Sequence, residues 1–311
     1  MKVLVTGANG FVGLAVLQRL NEIRGLQSVG SVRRAAGLTG TTVVEVGDLT
    51  AQTDWSLTLA GADAVIHLAA RVHVMQETEI DPLPAFRAVN VNGTFNLARQ
   101  AAAAGVKRFV FISSVKVNGE STPSGEAFTE ADVPNPQDAY GQSKHEAEQC
   151  LRQVSADTGM EVVIIRPPLV YGPGVKANLA ALMRVVQRGW PLPLGAVHNR
   201  RSLVAMDNLV DFIFTCITNP LAANQTFFVS DGQDLSTTDL VRGMARAAGV
   251  TARLLPVPVW ALQTGASLIC KRYAIQLLCG NLQVDISKAR SLLGWVPPVS
   301  VDEGLRRSMA V

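Results

Sequence analysis

The chain opens on a strand that runs straight into a glycine turn, Lys2-Val3-Leu4-Val5-Thr6-Gly7-Ala8-Asn9-Gly10-Phe11-Val12-Gly13. Few sequence features restrict a fold more. Glycine permits the tight turn and lets backbone approach a ligand closely. The helix that follows offers free N–H groups and a partial positive charge at its N-terminus. The spacing is G-x-x-G-x-x-G rather than the commoner G-x-G-x-x-G, but strand before and helix after is the context a phosphate-binding turn requires. Gly7, Gly10, Phe11, Val12 and Gly13 are therefore expected to cradle the pyrophosphate of a dinucleotide.

The next 150 residues repeat the same alternation. Short apolar or β-branched runs at 3–6, 27–32, 42–46, 64–68, 109–113 and 162–165 read as buried strands, and 12–23, 84–104 and 139–158 read as helices. Strands that are continuously apolar belong to a sheet covered on both faces. The expected fold is α/β: a doubly wound parallel sheet forming a dinucleotide-binding domain over residues 1–167, then a smaller irregular α/β lobe over 168–311, with some segments free to return to the sheet. The change follows Arg166-Pro167-Pro168, where Pro173, Gly174, Gly189, Pro191, Pro193 and Gly195 break the pattern.

Composition narrows the class. Hydrophobic residues make up 48% and charged residues 17% of 311, a globular balance, and a net charge of +3 is too mild to argue for nucleic acid. Cys150, Cys216, Cys270 and Cys279 show neither zinc-type nor C-x-x-C spacing, so reduced thiols and no metal are expected. The apolar stretch 257–270 is interrupted by Gln263 and Thr264 and falls short of the roughly 20 residues of a spanning helix. A buried or lid helix is expected there. With the first strand beginning at residue 2, no leader is expected, and a cytoplasmic protein is.

Chemistry is concentrated in Tyr140-Gly141-Gln142-Ser143-Lys144, preceded by the strand-end pair Ser113-Ser114. Tyr140 and Lys144 are four apart on a helix and share a face. A neighbouring ammonium is expected to lower the phenol from its usual value near 10, making Tyr140 an acid/base, while Ser114 hydrogen-bonds a substrate oxygen as charge develops on it. The second strand ends in Arg33-Arg34, without the acidic residue that would hold an unmodified adenosine ribose. A guanidinium pairs instead with a 2′-phosphate, which favours NADP over NAD. Asp48, in Gly47-Asp48-Leu49, is placed either to accept from the adenine amino group or to cap a helix.

These motifs together resemble the extended short-chain dehydrogenase/reductases of the NAD-dependent epimerase/dehydratase, nucleotide-sugar type. The resemblance runs through His67-Leu68-Ala69-Ala70, Asn90-Val91-Asn92-Gly93-Thr94 and Arg166-Pro167-Pro168-Leu169-Val170-Tyr171-Gly172-Pro173 as well. It implies Tyr140 as acid/base, Lys144 on the nicotinamide ribose and Ser114 on the sugar oxygen. Leu49, Leu68, Ala69, Ala70 and Pro167 would line the cofactor. Asn178, Leu194 and Arg201 would meet a nucleoside diphosphate, UDP by this reading, and Lys116 the substrate. A homodimer through the helices 84–104 and 139–158 is also implied. The chain departs from the epimerase pattern at Arg33 and Arg34. Lys116 and Asn118 stand where a small residue and a tyrosine are usual, and the late arginine-and-acid loop is missing around residues 278–285.

The departures bring the chain nearer to reductases of UDP-4-keto-6-deoxy-hexosamines than to C4 epimerases of UDP-glucose or UDP-GlcNAc, the alternative. A catalytically silent NADP sensor and a simple carbonyl reductase are more remote. Intact Ser114, Tyr140 and Lys144 weigh against the first, and Asn178 and Arg201 against the second.

Overall fold

The strand order of the main sheet reverses at its first strand, and that reversal places the site. In this computed structural model, which describes residues 1–34, 42–72, 81–268 and 272–310, β1 (Lys2–Thr6) lies between β2 (Gln27–Val32) and β4 (Ala64–His67), with β3 (Thr42–Glu45) outside β2. Beyond β4 come β5 (Arg108–Ile112) and β6 (Glu161–Arg166). Two short strands, β7 (Leu169–Tyr171) and β8 (Leu203–Ala205), pair with each other in a separate sheet, and β9 (Thr226–Phe228) returns to extend the main one. The seven-stranded order is β3-β2-β1-β4-β5-β6-β9, parallel throughout. A crevice opens at the carboxyl ends of β1 and β4, where connections leave in opposite directions.

The strands alternate with helices because their residues are apolar on both faces: all of Arg108–Ile112 and all of Ala64–His67 are buried. On one face α1 (Phe11–Asn21) contributes Val16, Leu17 and Leu20. On the other lie α2 (Ser56–Leu59), α3 (Leu83–Phe86), α4 (Thr94–Ala103) and α5 (Ala139–Thr158), with Leu97, Ala98, Ala101, Ala147 and Leu151 packed against Val65, Phe109, Phe111 and Ile164. The second half supplies α6 (Ala177–Gln187), α7 (Met206–Thr218), α8 (Thr237–Ala247), α9 (Val259–Leu268), α10 (Arg272–Cys279), α11 (Ser287–Leu293) and α12 (Val301–Met309). Leu209, Phe212 and Ile213 of α7 share the core of α1, whereas α6, α8 and α12 enclose a core of their own around Tyr171, Met183, Val241 and Leu305.

The parallel doubly wound sheet expected from the strand pattern is present, and α5 spans 139–158 as read, ending at Gly159 with φ 76°. The sheet is not complete within residues 1–167, since β9 and α7 come from the second half. The helix expected over 84–104 is present as one continuous run, α3 and α4 joined without interruption through a π-helical turn Arg87–Gly93. Two contacts accompany the wide turn. Asn90 faces inward, its Nδ2 donating to the Arg71 carbonyl (3.0 Å) and to Ser143 Oγ (2.9 Å) while its Oδ1 accepts from Arg71 N (2.8 Å). Gly93 lies so close to Leu49 that a Cβ would sit 2.6 Å from Leu49 Cγ.

Cys150, Cys216 and Cys279 are free thiols, and Cys270 lies outside the described residues. Within the stretch 257–270, α9 covers Val259–Leu268 and leaves Trp260 69% exposed; residues 269–270 lie outside the described residues. Among the described residues no helix is long and apolar enough to cross a membrane.

Candidate active site

A cleft of about 1020 Å³ runs along the carboxyl ends of the strands, from Arg33 and Asp48 at one end to Ser114, Tyr140 and Lys176 at the other. Its floor is the glycine turn. Gly7 adopts φ +66° and packs against the residues after β4, where a Cβ would lie 2.9 Å from Ala69 N. At Gly13 a Cβ would lie 2.2 Å from the Gly7 carbonyl, so the helix begins hard against the turn. Gly10 closes that turn, its N–H donating to Gly7 O at 2.9 Å, and no side chain fills the space above it. This bare backbone at the start of α1, in a cleft of that size, fits a dinucleotide diphosphate.

A buried hydroxyl and imidazole beneath the turn hold it to β4. Thr6 Oγ1 accepts from the N–H groups of Leu68 (3.2 Å) and Ala69 (3.1 Å), and its own proton is thereby directed to His67 Nδ1, 2.7 Å away. His67 Nε2 then donates to Thr94 Oγ1 at 2.9 Å. Burial first, and the charge of Lys144 second, push the imidazole down to about 3, so His67 is neutral and serves as a strut. Leu68, Ala69 and Ala70 reach the cleft wall on this support.

Ser114 follows β5 with extended backbone, and its Oγ accepts from Lys116 N at 3.2 Å. Asp138 caps α5 by accepting from Gly141 N at 2.6 Å, and Tyr140 falls in the first turn, edge-on to Phe86 with ring centroids 6.1 Å apart. One turn on, Lys144 is 2% exposed; its Nζ donates to the Ile112 carbonyl (2.8 Å) and lies 4.4 Å from the centroid of Phe111. One turn further, Glu148 is fully buried. Its Oε1 accepts from Ser113 Oγ (2.6 Å) and Arg166 Nε (2.9 Å), and its Oε2 from Arg166 Nη2 (2.5 Å). Arg166 Nη1 reaches Asn118 Oδ1 at 2.8 Å. The helix bearing Tyr140 and Lys144 is thus tied to β5, β6 and the turn after Ser114.

The protonation states differ from the expectation for Tyr140. Burial chiefly, reinforced by Asp138 and opposed by Lys116, pushes the phenol up to about 12 rather than down. The ammonium is a weak influence because Lys144 Nζ stands 6.0 Å from the Tyr140 ring centroid and donates elsewhere, and because burial pulls Lys144 itself down to about 7 against the attraction of Glu148. The arrangement presents a phenol that keeps its proton at neutral pH in a cleft that Ser114 also lines.

The cleft brings together Gly7, Gly10, Phe11, Val12, Gly13, Arg33, Asp48, Leu49, Leu68, Ala69, Ala70, Ser114, Tyr140, Lys144 and Pro167. Arg34, Lys116, Asn178, Leu194 and Arg201 do not line it. Arg34 is exposed beside Arg33, and Arg33 Nε lies 3.8 Å from Asp48 Oδ1 in a solvated pair. Lys116 is engaged by two carboxylates, Nζ donating to Asp138 Oδ2 (2.5 Å) and Glu120 Oε1 (2.9 Å). Asn178 is exposed at the start of α6, and Leu194 is buried with its carbonyl accepting from Thr238 Oγ1. Arg201 is half-buried, donates to the Gly280 carbonyl at 3.1 Å and has no salt-bridge partner among the described residues; burial lowers its pKa.

Sequence reasoning passed over Ser31, Trp55, Ala88, Val89 and Lys176, which also line the cleft. Ser31 was findable as the residue two before Arg33 on β2. Ala88 and Val89 reach the cleft from the π-helical turn, which leaves no mark in the pattern. Lys176 precedes Ala177, whose φ is +56°, a conformation an alanine adopts only under tertiary constraint.

A family model described as "NAD dependent epimerase/dehydratase family" matches residues 3–229. The chain is 48% identical over 307 residues to a UDP-glucose 4-epimerase of Vibrio cholerae, covering 98% of this chain and 94% of that one. It is 28% identical to a 2-alkyl-3-oxoalkanoate reductase of Stenotrophomonas maltophilia, covering 100% and 99%. In fold it is similar to the crystal structure of the UDP-glucuronic acid 4-epimerase of Bacillus cereus in complex with UDP-glucuronic acid and NAD, with TM-score 0.79, 23% identity and coverage of 99% and 98%. The chain belongs to the NAD-dependent epimerase/dehydratase family, whose enzymes are of the short-chain dehydrogenase/reductase type.

Two outcomes follow from this geometry. Gly10→Val places a branched side chain over the turn where a diphosphate must lie; calorimetry is expected to show loss of NAD(H) and NADP(H) binding, with a modest fall in thermal midpoint because the new Cβ would sit 3.0 Å from the Gly7 carbonyl. Glu148→Ala leaves the guanidinium of Arg166 buried and unpaired, and urea unfolding is expected to show a loss of about 3–5 kcal/mol.

Proposed function

We propose that this protein is a nicotinamide-dependent oxidoreductase acting at C4 of a UDP-linked sugar, and that it reduces a UDP-4-keto-6-deoxy-hexosamine. The observation that carries the reading is the convergence of Ser114, Tyr140 and Lys144 on the same cleft as the glycine turn. The cofactor, when bound, supplies the hydride. Gly7, Gly10 and Gly13 seat its diphosphate, Leu68, Ala69, Ala70 and Pro167 line its path, and Lys144 meets the nicotinamide ribose. Ser114 donates a hydrogen bond to the carbonyl oxygen as negative charge builds there, and Tyr140 delivers the proton. A phenol held in its protonated form suits this direction. Arg201, a half-buried guanidinium without a carboxylate partner among the described residues, is supplied by this reading with a diphosphate, although it stands outside the wall of the cleft.

Direction and cofactor rest on the end of β2. Arg33 and Arg34 are exposed and stand where an acidic residue would end β2, which favours NADPH as the reductant. The Arg33–Asp48 contact is solvated on both sides and opens readily to a 2′-phosphate. The second reading, a C4 epimerase holding NAD, is favoured by the Vibrio cholerae relative. A homodimer through α4 and α5 belongs to either reading, with Phe95 partly exposed on α4.

Stoichiometric NADPH oxidation with a UDP-4-keto-6-deoxy-hexosamine is the expected result. Tightly bound NAD in the purified protein together with interconversion of UDP-glucose and UDP-galactose would assign the epimerase instead. Tyr140→Phe is expected to lower turnover by about 10²-fold or more with cofactor affinity unchanged, measured by steady-state kinetics and calorimetry. Replacing Arg33 and Arg34 by Ala is expected to weaken NADP by roughly ten- to hundred-fold and to leave NAD nearly unaffected, the difference shrinking with added salt.

A further inference from the structure

Lys116 is one of the positions where this chain departs from the epimerase pattern, and the structure gives it no place in the cleft wall. What it does instead is join two short segments. The first is the 3-10 turn Val115–Val117, whose start is set by Ser114: the Ser114 hydroxyl accepts from the Lys116 N–H. The second is the opening turn of α5, set by Asp138, which accepts from Gly141 N with one oxygen. The other carboxylate oxygen of Asp138 accepts from Lys116 Nζ at 2.5 Å, and Glu120 takes a second ammonium proton at 2.9 Å. A single side chain therefore connects the turn that carries Ser114 to the cap two residues before Tyr140.

The backbone is fitted to the same contact. A Cβ on Gly141 would lie 2.6 Å from the Lys116 carbonyl, so only glycine lets the helix start approach the turn this closely. Val117 O accepts from Asn135 N at 2.9 Å, which brings the returning loop alongside before the helix begins. Burial works against the charge on Lys116, but the hydrogen bonds to Asp138 and Glu120 outweigh it and raise its pKa, so the lysine is charged across the working range.

We propose that Lys116 is a positioning residue: its ion pair with Asp138 clamps the Ser114 turn to the first turn of α5 and so sets the separation and orientation of the Ser114 and Tyr140 hydroxyls. The proposal rests on the reading that these two hydroxyls act on one substrate oxygen. The clamp is also electrostatic. Asp138 beside Tyr140 disfavours phenolate, and the lysine that neutralises it tempers that influence. A small residue at 116 would leave the cap carboxylate unopposed and the turn free to shift.

The test uses the full chain with Lys116→Met, which keeps the aliphatic stem and removes the charge, and with Lys116→Arg. Asp138→Asn approaches the same contact from its other partner should Lys116→Met fold poorly. The chain holds three tyrosines, so the ring-carbon NMR resonance of Tyr140 in isotope-labelled protein is assigned by its loss in Tyr140→Phe. Lys116→Met is expected to move the Tyr140 resonance, leave that of Tyr171 in place, and lower kcat by about ten- to hundred-fold with KM little changed, the scale on which small misplacements of reacting groups are felt. Lys116→Arg is expected to restore both. An unmoved resonance with normal kcat in Lys116→Met overturns the proposal, as does a lowered thermal midpoint accompanied by neither change. A moved resonance in a protein that turns over no UDP-4-keto sugar and no UDP-glucose supports the clamp while sinking the functional reading.

Discussion

The buried carboxylate of Glu148 is the contact on which the site depends. It accepts from Ser113 at the end of β5 and from Arg166 at the end of β6, while its own helix, α5, carries Tyr140 and Lys144 two turns and one turn earlier. A charge taken out of water is tolerated only when its lone pairs are met, and here the hydroxyl and the guanidinium meet them. Of the contributions to its ionisation, burial is the largest and opposes it. The hydrogen bonds and charge of Arg166, with Ser113 and Arg152, prevail and hold the carboxyl below its usual range. Such a pair adds little net stability over an apolar filling. It does tie α5 to the ends of β5 and β6.

From that anchor the chemistry is arranged by distance. Lys144 reaches the Ile112 carbonyl and the face of Phe111, which hold an amine in a place water does not reach. Desolvation then lowers the lysine and raises the tyrosine, drawing the two pKa values apart. The pair presents a protonated phenol and, one turn on, an amine whose charged form burial disfavours. On the cofactor side Thr6 has a comparable part. Its single hydroxyl accepts from two N–H groups and donates to a buried histidine, which joins the turn after β1 to the loop after β4.

The lobe of the second half is bound to the sheet domain by chain crossing as well as by surface. β9 completes the sheet, and α7 packs beside α1 with its last carbonyls received by the buried guanidinium of Arg108, which bonds Cys216 O, Ile217 O and Asn219 O. Tyr171, from the motif after β6, is buried against Gly304 and donates to Asp231 at 2.7 Å, and Asp231 in turn accepts from Ala205 N and Asn208. The motif after β6 thus joins the two cores, its polar atoms engaged in holding the lobe over the strand ends.

Much of this is legible in the amino-acid sequence alone. The parallel sheet follows from continuously apolar strands between amphipathic helices, the glycine turn from three glycines at a strand–helix junction, and the nearness of Tyr140 to Lys144 from a spacing of four on a helix. These are local periodicities, and a chain of L-residues has few ways to satisfy them. Other features belong to tertiary structure alone. The π-helical turn that brings Ala88 and Val89 to the cleft coincides with Asn90 bridging Arg71 and Ser143, residues far apart in sequence. The upward shift of Tyr140 comes from what surrounds it, and the engagement of Lys116 by Asp138 from where the loop 120–138 returns. Burial and long-range partners set protonation and side-chain engagement, and neither is written in the spacing of residues along the chain.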